Sequence, residues 1–230
     1  MQLSKRLGAI ASLVPEGAKL VDVGTDHGYI PIYLTKNHKA SYCIASDINK
    51  GPLESAKRNR DKYQLSGIEL RQGSGLQTIK LEDRMDTVVI AGMGGYLVHD
   101  ILELDLVLVK TMRTLILQPQ NNIPEIRRYV HSIGFKIARE VFLEEEGKYY
   151  TIIVAVPGVE SYVKPCHYEY GQYLLEEGSD LYKRWLQHKQ KGYADIITKL
   201  QTLEGNQTAE RMSELQQANE LIEEALKCMH

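Results

Sequence analysis

The ten residues Leu20 to Tyr29, LVDVGTDHGY, leave this chain few folds to choose from. Leu20, Val21 and Val23 give the apolar, β-branched run of a strand buried on both faces. Gly24 permits a turn with positive φ at its carboxyl end, and Gly28 is expected to let the following helix pack closely on the strand. Strand, tight turn and helix in this order open an α/β domain with a parallel sheet and place a ligand at a helix N-terminus.

Charge narrows the choice of ligand. A dinucleotide pyrophosphate calls for G-x-G-x-x-G with no anion close by, whereas this loop is G-x-x-x-G and carries Asp22 and Asp26. S-adenosylmethionine has no phosphate and brings an ammonium and a sulfonium, so acids at the end of the strand suit it. An acid ending a strand is also a common helix cap, so the downstream sequence has to decide.

Helical spacing of Leu3, Leu7, Ile10 and Leu13 or Val14, stopped by Pro15 to Gly17, predicts a first helix lying as a lid across one sheet edge. After the loop, Tyr29 to Thr35 reads as the first crossover helix. A second strand through Tyr42, Ile44 and Ala45 ends at Asp47, nineteen positions beyond Gly28 (47 minus 28), where a ribose-binding carboxylate is expected. Capping of the helix from Pro52 to Asn59 is the plainer role for Asp47. A third strand, Ile68 to Arg71, runs into Gly73-Ser74-Gly75, and a fourth, Thr87 to Ala91, into Gly92-Met93-Gly94-Gly95. Glycine-rich loops after strand upon strand belong to carboxyl ends that converge on one crevice. Met93 is expected to line it, and the amides of Gln118 to Asn122, after a fifth strand at Leu115 to Leu117, to read base edges there.

Ile123 to Ile133 predicts a helix. Lys136 to Leu143 and Tyr149 to Ala155 predict two strands joined by so short an acidic turn that they must pair antiparallel. A five-strand parallel sheet closed by such a hairpin is the plan of Rossmann-like methyltransferases and disfavours a dehydrogenase. It is a second argument for the methyl donor.

From residue 158 the composition shifts. Tyr182, Leu186, Lys189, Tyr193, Ile196, Leu200 and Leu203 step by fours and threes, as do Met212, Leu215, Asn219, Ile222, Leu226 and Met229 after Gly205-Asn206. The pattern predicts a second domain, residues 158–230, built on an antiparallel coiled-coil hairpin, beside a cofactor-binding domain over residues 1–157. Lys183, Arg184 and Lys191 make its first arm basic, either to contact RNA or to pair with the acidic second arm. Lys189 is expected to snorkel from the seam. The net charge of −2 excludes a uniformly basic surface, so any RNA contact is local. Cys43, Cys166 and Cys228 lack C-x-x-C spacing, which points to a reducing compartment and away from a structural zinc. His27 has no second ligand at useful spacing, so no metal is expected. Without a signal-length or membrane-length apolar run the chain is expected in the cytoplasm.

Taken together, SKRL, VDVGTDHGY, SAKRN, QGSGL, IAGMGG, LILQP, LEEEGKYY and the C-terminal heptads resemble the bacterial tRNA (adenine(22)-N1)-methyltransferase family. The resemblance covers nearly the whole chain. That family usually carries an acidic or amide residue at the place of Ser74 and reads LQPN where Gln120 precedes Asn121 here. The resemblance implies a Rossmann-like class I methyltransferase that moves a methyl group from S-adenosylmethionine to N1 of an adenine in tRNA. The donor site is expected from Asp22, Gly24, Asp26, Asp47, Ile48, Gly73, Ser74, Ala91, Gly92, Met93 and Gly94. On the substrate side stand Gly95, Gln118, Pro119, Asn121, Lys183, Arg184 and Lys191. Adenine N1 already has a free lone pair, so catalysis is mostly alignment in a dry pocket. Asp26, flanked by His27 and Tyr29, is the candidate to stabilise charge developing on the base or to hold the donor's ammonium, and Tyr29 to stack on the base. An NAD-binding Rossmann protein and a non-catalytic RNA-binding protein are the competing readings, and the oligomeric state is left open.

Overall fold

The computed structural model describes residues 1–201 and 206–229 and divides into two compact units, Met1–Ser161 and Tyr162–His230. In chain order the first holds α1 (Lys5–Leu13), β1 (Ala18–Val23), α2 (Tyr29–Lys36), β2 (Ala40–Asp47), α3 (Lys50–Lys62) and β3 (Ile68–Gln72). There follow β4 (Thr87–Met93), α4 (Gly95–Leu104), α5 (Leu106–Val109), β5 (Thr114–Pro119), α6 (Ile123–Ser132), β6 (Phe135–Glu145) and β7 (Lys148–Pro157). The strands form one sheet in the order β3-β2-β1-β4-β5-β7-β6. The first five strands are parallel; β7 runs antiparallel to both β5 and β6.

This order has a switch point. From β1 the chain builds outward to β2 and β3, then returns to lay β4 on the other side of β1. The crossovers on either side of that point leave in opposite directions, which opens a crevice beyond the carboxyl ends of β1 and β4. The β4–β5 register slips between Ala91 and Met93, where Gly92 has φ +77°, so the end of β4 bends at the crevice. The hairpin turn at Glu146-Gly147 has positive φ at both residues, matching the twist of the long strands it joins.

The sequence reading of α1 needs correction. It lies against α2, β6 and β7, and Ile10, Ala11 and Val14 are buried in a cluster with Val89, Ile116, Leu143 and Ile152. It covers a face of the sheet, not its edge, because its apolar stripe is wide enough to meet four strands' side chains. Gly28 also works differently from expectation: a Cβ there meets Ala56 Cβ of α3 at 3.0 Å, so the close approach is between helices. On the far side, Arg127 of α6 pairs with Glu140 of β6, Nε to Oε1 2.8 Å, both buried.

Among the described residues the second unit has four helices: α7 (Pro165–Tyr170), α8 (Gln172–Glu177), α9 (Asp180–Leu200) and α10 (Asn206–Cys228). The Ser179 hydroxyl caps α9 by accepting the Tyr182 N–H. Cys166, Tyr170, Leu174, Leu175, Tyr182, Leu186, Leu215, Ile222 and Ala225 form its core. Tyr182 donates to the Tyr170 carbonyl and stacks on Trp185, rings 5.3 Å apart. Lys189 lies over Tyr170, Trp185 and Tyr193, at 5.2 to 5.7 Å from each ring centre, so its stem packs and its charge rests on aromatic faces. Along the heptad stripe Tyr182 and Leu186 are buried but Ile196 is 42% exposed, so burial is concentrated in the first turns of α9. Leu203 and Gly205, assigned from sequence to the seam and turn, lie outside the described residues.

Candidate active site

Two cavities meet beyond β1 and β4, sharing Val23, Gly24, Ala91 and Gly92 as a common floor. One, of about 340 Å³, runs toward β2 and β3 past Asp47, Ile48, Gly73, Ser74 and Met93. The other, of about 270 Å³, runs toward α1 past Asp22, Thr25, Asp26, Tyr29, Gln120 and Arg6. They are two arms of one cleft. At its waist the backbone favours glycine, with φ +68° at Gly24, and the end of the flexible Met93 side chain fills the space a Cβ would take.

The loop that makes the waist is wound tightly. Gly24, Asp26 and Gly28 have φ of 68°, 50° and 72°, and Asp26, lacking glycine's freedom, holds a conformation that costs an ordinary side chain about 1–3 kcal/mol. Asp47 secures it. One oxygen accepts the Asp26 N–H at 3.3 Å and the other the Asn49 N–H at 2.9 Å. The Thr25 N–H donates to the Ser46 carbonyl at 2.9 Å, so the loop is tied to β2 at two points.

Asp22 is the electrostatic centre of the cleft. Its side chain is 4% exposed and receives the Thr25 hydroxyl at 2.6 Å. Burial pushes its carboxyl up to about 7, against the Thr25 bond that lowers it and with nearby Asp47 raising it further. A buried acid beside a second acid favours a cation in the cleft and opposes a pyrophosphate.

The wall formed by α1 was not foreseen. Arg6 Nη1 donates to Gln118 Oε1 at 2.9 Å, the Gly92 N–H donates to the same oxygen at 3.2 Å, and the guanidinium stands 5.5 Å from the Tyr150 ring centre. Gln118, 1% exposed, is thereby committed to holding the bent end of β4. Asn121 Oδ1 accepts the Gly95 N–H at 2.8 Å and secures the start of α4. Of the amide cluster expected to read base edges, Gln120 lines the cleft, while Pro119 is a buried strand residue and Gln118 and Asn121 bond internally. Gly94 and Gly95 begin α4, and Gly95 has no room for a Cβ, which falls 2.5 Å from the Asn121 carbonyl.

Tyr29 opens α2 and stays 42% exposed in the cleft. The His27 ring stacks on it at 5.3 Å, with Nε2 3.6 Å from Asp26 Oδ1. Lys183, Arg184 and Lys191 are exposed on α9 in the second unit. Arg6 and Thr25 line the cleft without being expected there from sequence, whereas Gln120 belongs to the amide cluster the sequence places at this end of the sheet. Arg6 stands in the SKRL segment that contributes to the family resemblance, with no role of its own assigned from sequence.

The family model described as tRNA (adenine(22)-N(1))-methyltransferase matches residues 20–226. A Bacillus subtilis tRNA (adenine(22)-N(1))-methyltransferase is 37% identical over 98% of both chains. A Streptococcus pneumoniae chain solved in complex with S-adenosyl-L-methionine is 32% identical, with a TM-score of 0.88 over 98% of this chain and 100% of that one. TrmK of M. capricolum, solved with S-adenosyl-homocysteine, is 26% identical with a TM-score of 0.88 over the whole of both chains.

Proposed function

The chain belongs to the tRNA (adenine(22)-N(1))-methyltransferase family, and from that premise we propose a role for each arm of its cleft. The protein transfers a methyl group from S-adenosylmethionine to N1 of adenine 22 in tRNA. The observation that carries the reading is the glycine-floored cleft at the switch point, which buries two carboxylates, Asp22 and Asp47, and is also lined by Asp26.

The residues present fit the donor. The 340 Å³ arm holds its nucleoside end: Asp47 accepts from the ribose hydroxyls, Ile48 packs on the adenine, and Gly73 and Ser74 close over it. Gly24, Ala91, Gly92, Met93 and Gly94 line the middle, and Asp22 faces the amino-acid end. When bound, S-adenosylmethionine supplies an electrophilic methyl group on a sulfonium. The 270 Å³ arm admits the target base, with Tyr29 offering a ring to stack on and Asp26 an acceptor for the charge that develops as N1 is alkylated. No side chain has to make the nucleophile, so the work of the protein is alignment and exclusion of water. Arg6, Gln118 and Asn121 fix the walls against which the base is placed.

Residues 1–157 form the donor-binding domain on this reading, and residues 158–230 a helical domain with α9 and α10 as a coiled-coil hairpin. Lys183, Arg184 and Lys191 supply phosphate contacts that position tRNA without reading sequence. No described helix is long and apolar enough to cross a membrane. A cytoplasmic location is part of this proposal, because its substrate is tRNA.

The test is methyl transfer to an unmodified tRNA transcript followed by nucleoside analysis. N1-methyladenosine is expected, and it disappears when adenine 22 of the transcript is replaced by guanine. Methylation that persists in the substituted transcript, or no N1-methyladenosine in either, overturns the assignment.

A further inference from the structure

We propose that Cys166, His167 and Cys228 form a zinc-binding site that clamps the carboxyl end of α10 to the start of α7. In sequence the two cysteines are far apart, but the fold brings the two sulfurs and an imidazole nitrogen within 4.8 Å of one another. Among the described residues no other group of three such side chains converges in this way. Cys166 is fully buried in the core of the second unit, whereas His167 and Cys228 are half-buried and free to adjust.

The donors select the ion. Two sulfurs and an imidazole are the set of tetrahedral zinc sites, while calcium and magnesium demand oxygen. Ligand atoms about 2.0–2.3 Å from a tetrahedral centre stand roughly 3.5–4 Å apart. Side-chain rotation at His167 and Cys228 suffices to close 4.8 Å to that spacing. Glu224 lies one helical turn before Cys228 on α10 and interacts with the Cys166 side chain; its carboxylate stands outside the three-atom cluster and would rotate inward to serve as the fourth donor.

Charge balances as well. On binding, both S–H bonds break, two S–Zn bonds form and two protons leave to solvent, with no change of oxidation state. Two thiolates and a carboxylate around a divalent ion leave one negative charge in excess. Lys164, whose Nζ donates to Cys228 Sγ at 3.2 Å, neutralises it from just outside the ligand shell.

The test uses the full-length, reduced protein, stripped with a chelator and titrated with cobalt(II). A thiolate-to-cobalt band in the near ultraviolet with intense tetrahedral d–d bands, saturating at one ion per chain and bleached by zinc, is expected. Cys228→Ser and His167→Gln should each lose the tetrahedral spectrum. Lys164→Ala should keep it while weakening affinity by about tenfold. Zinc should raise the melting temperature of the wild type and not that of Cys228→Ser; if that variant does not fold, His167→Gln carries the comparison. A reduced wild type with no tetrahedral spectrum, or a spectrum unchanged in His167→Gln, overturns the proposal. So does a reduced chain that takes up no metal and in air loses both thiols to a Cys166–Cys228 disulfide.

Discussion

Replacing Asp22 by Asn tests the electrostatics of the cleft without relying on activity. In the unfolded chain this carboxyl titrates near its ordinary 3.8; in the folded protein burial raises it to about 7. Between those values the folded state keeps a proton that the unfolded state has released. Stability therefore falls as pH rises through the window and levels off above about 7, the reverse of a salt-bridged carboxylate. At ~1.4 kcal/mol per unit the whole penalty is on the order of 4 kcal/mol, of which roughly 2–3 kcal/mol develops between about pH 5 and about pH 7. Asn has the same shape, keeps an oxygen for the Thr25 hydroxyl and does not ionise. In urea unfolding the variant is expected to gain on the wild type by that amount across this range. Donor binding gives a second reading: a cation facing Asp22 expels its proton, so the wild type should release about half a proton near neutral pH and Asp22→Asn none, with weaker affinity. Parallel stability curves for the two proteins from about pH 5 to about pH 8, with equal proton release, refute the reasoning.

Asp47→Ala should weaken S-adenosylhomocysteine binding by about 1–3 kcal/mol in calorimetry, and unchanged affinity removes Asp47 from the ribose site. Asp26→Asn should leave donor affinity nearly intact and cut turnover by about tenfold or more if the carboxylate serves the transition state; a loss of affinity first assigns it to the donor's ammonium. Replacing Lys183, Arg184 and Lys191 together by alanine should reduce the salt dependence of tRNA binding by about 2 to 3 in log–log slope, and an unchanged slope ends their role as phosphate contacts. Glu140→Ala removes the buried carboxylate that accepts from Arg127 Nε at 2.8 Å, so it should destabilise the protein by about 1–3 kcal/mol in chemical denaturation, whereas methyl transfer under native conditions persists.

The parts of this fold written in local chemistry were legible in the sequence. Val21, Val23 and Gly24 specify a strand and its turn by themselves, and the glycines after β4 and the short Glu146-Gly147 turn do the same for the far side of the cleft and the hairpin. What escaped depends on contacts made after the chain has folded. Periodicity finds the apolar stripe of α1 but cannot say which surface receives it, so it reads equally as an edge or a face, and Arg6 carries no signal of the Gln118 oxygen it meets. The sequence from Tyr96 to Val109 is apolar enough for a crossover helix, but α4 starts inside a glycine run with no capping side chain to mark it. Helices α7 and α8, six residues each, are too short for a repeat to show. For Gln118 and Asn121 residue type announced a polar task; only the structure shows the partners, Gly92 and Gly95.

Placing β7 between β5 and β6 also sets the order in which the protein can be finished on the ribosome. When Thr114–Pro119 emerges, one flank of that strand has its neighbour β4, while the other waits for Lys148–Pro157. The strand made in the meantime, β6, bonds only to β7 and cannot fill the gap. About 40 more residues must therefore be synthesised, some 2–8 s at ordinary elongation rates, with an apolar strand edge open to other chains. The hairpin itself closes in microseconds once its two-residue turn is complete, so translation speed sets the exposure. Slow codons between residues 120 and 157 should lower soluble yield more than the same codons placed after residue 161.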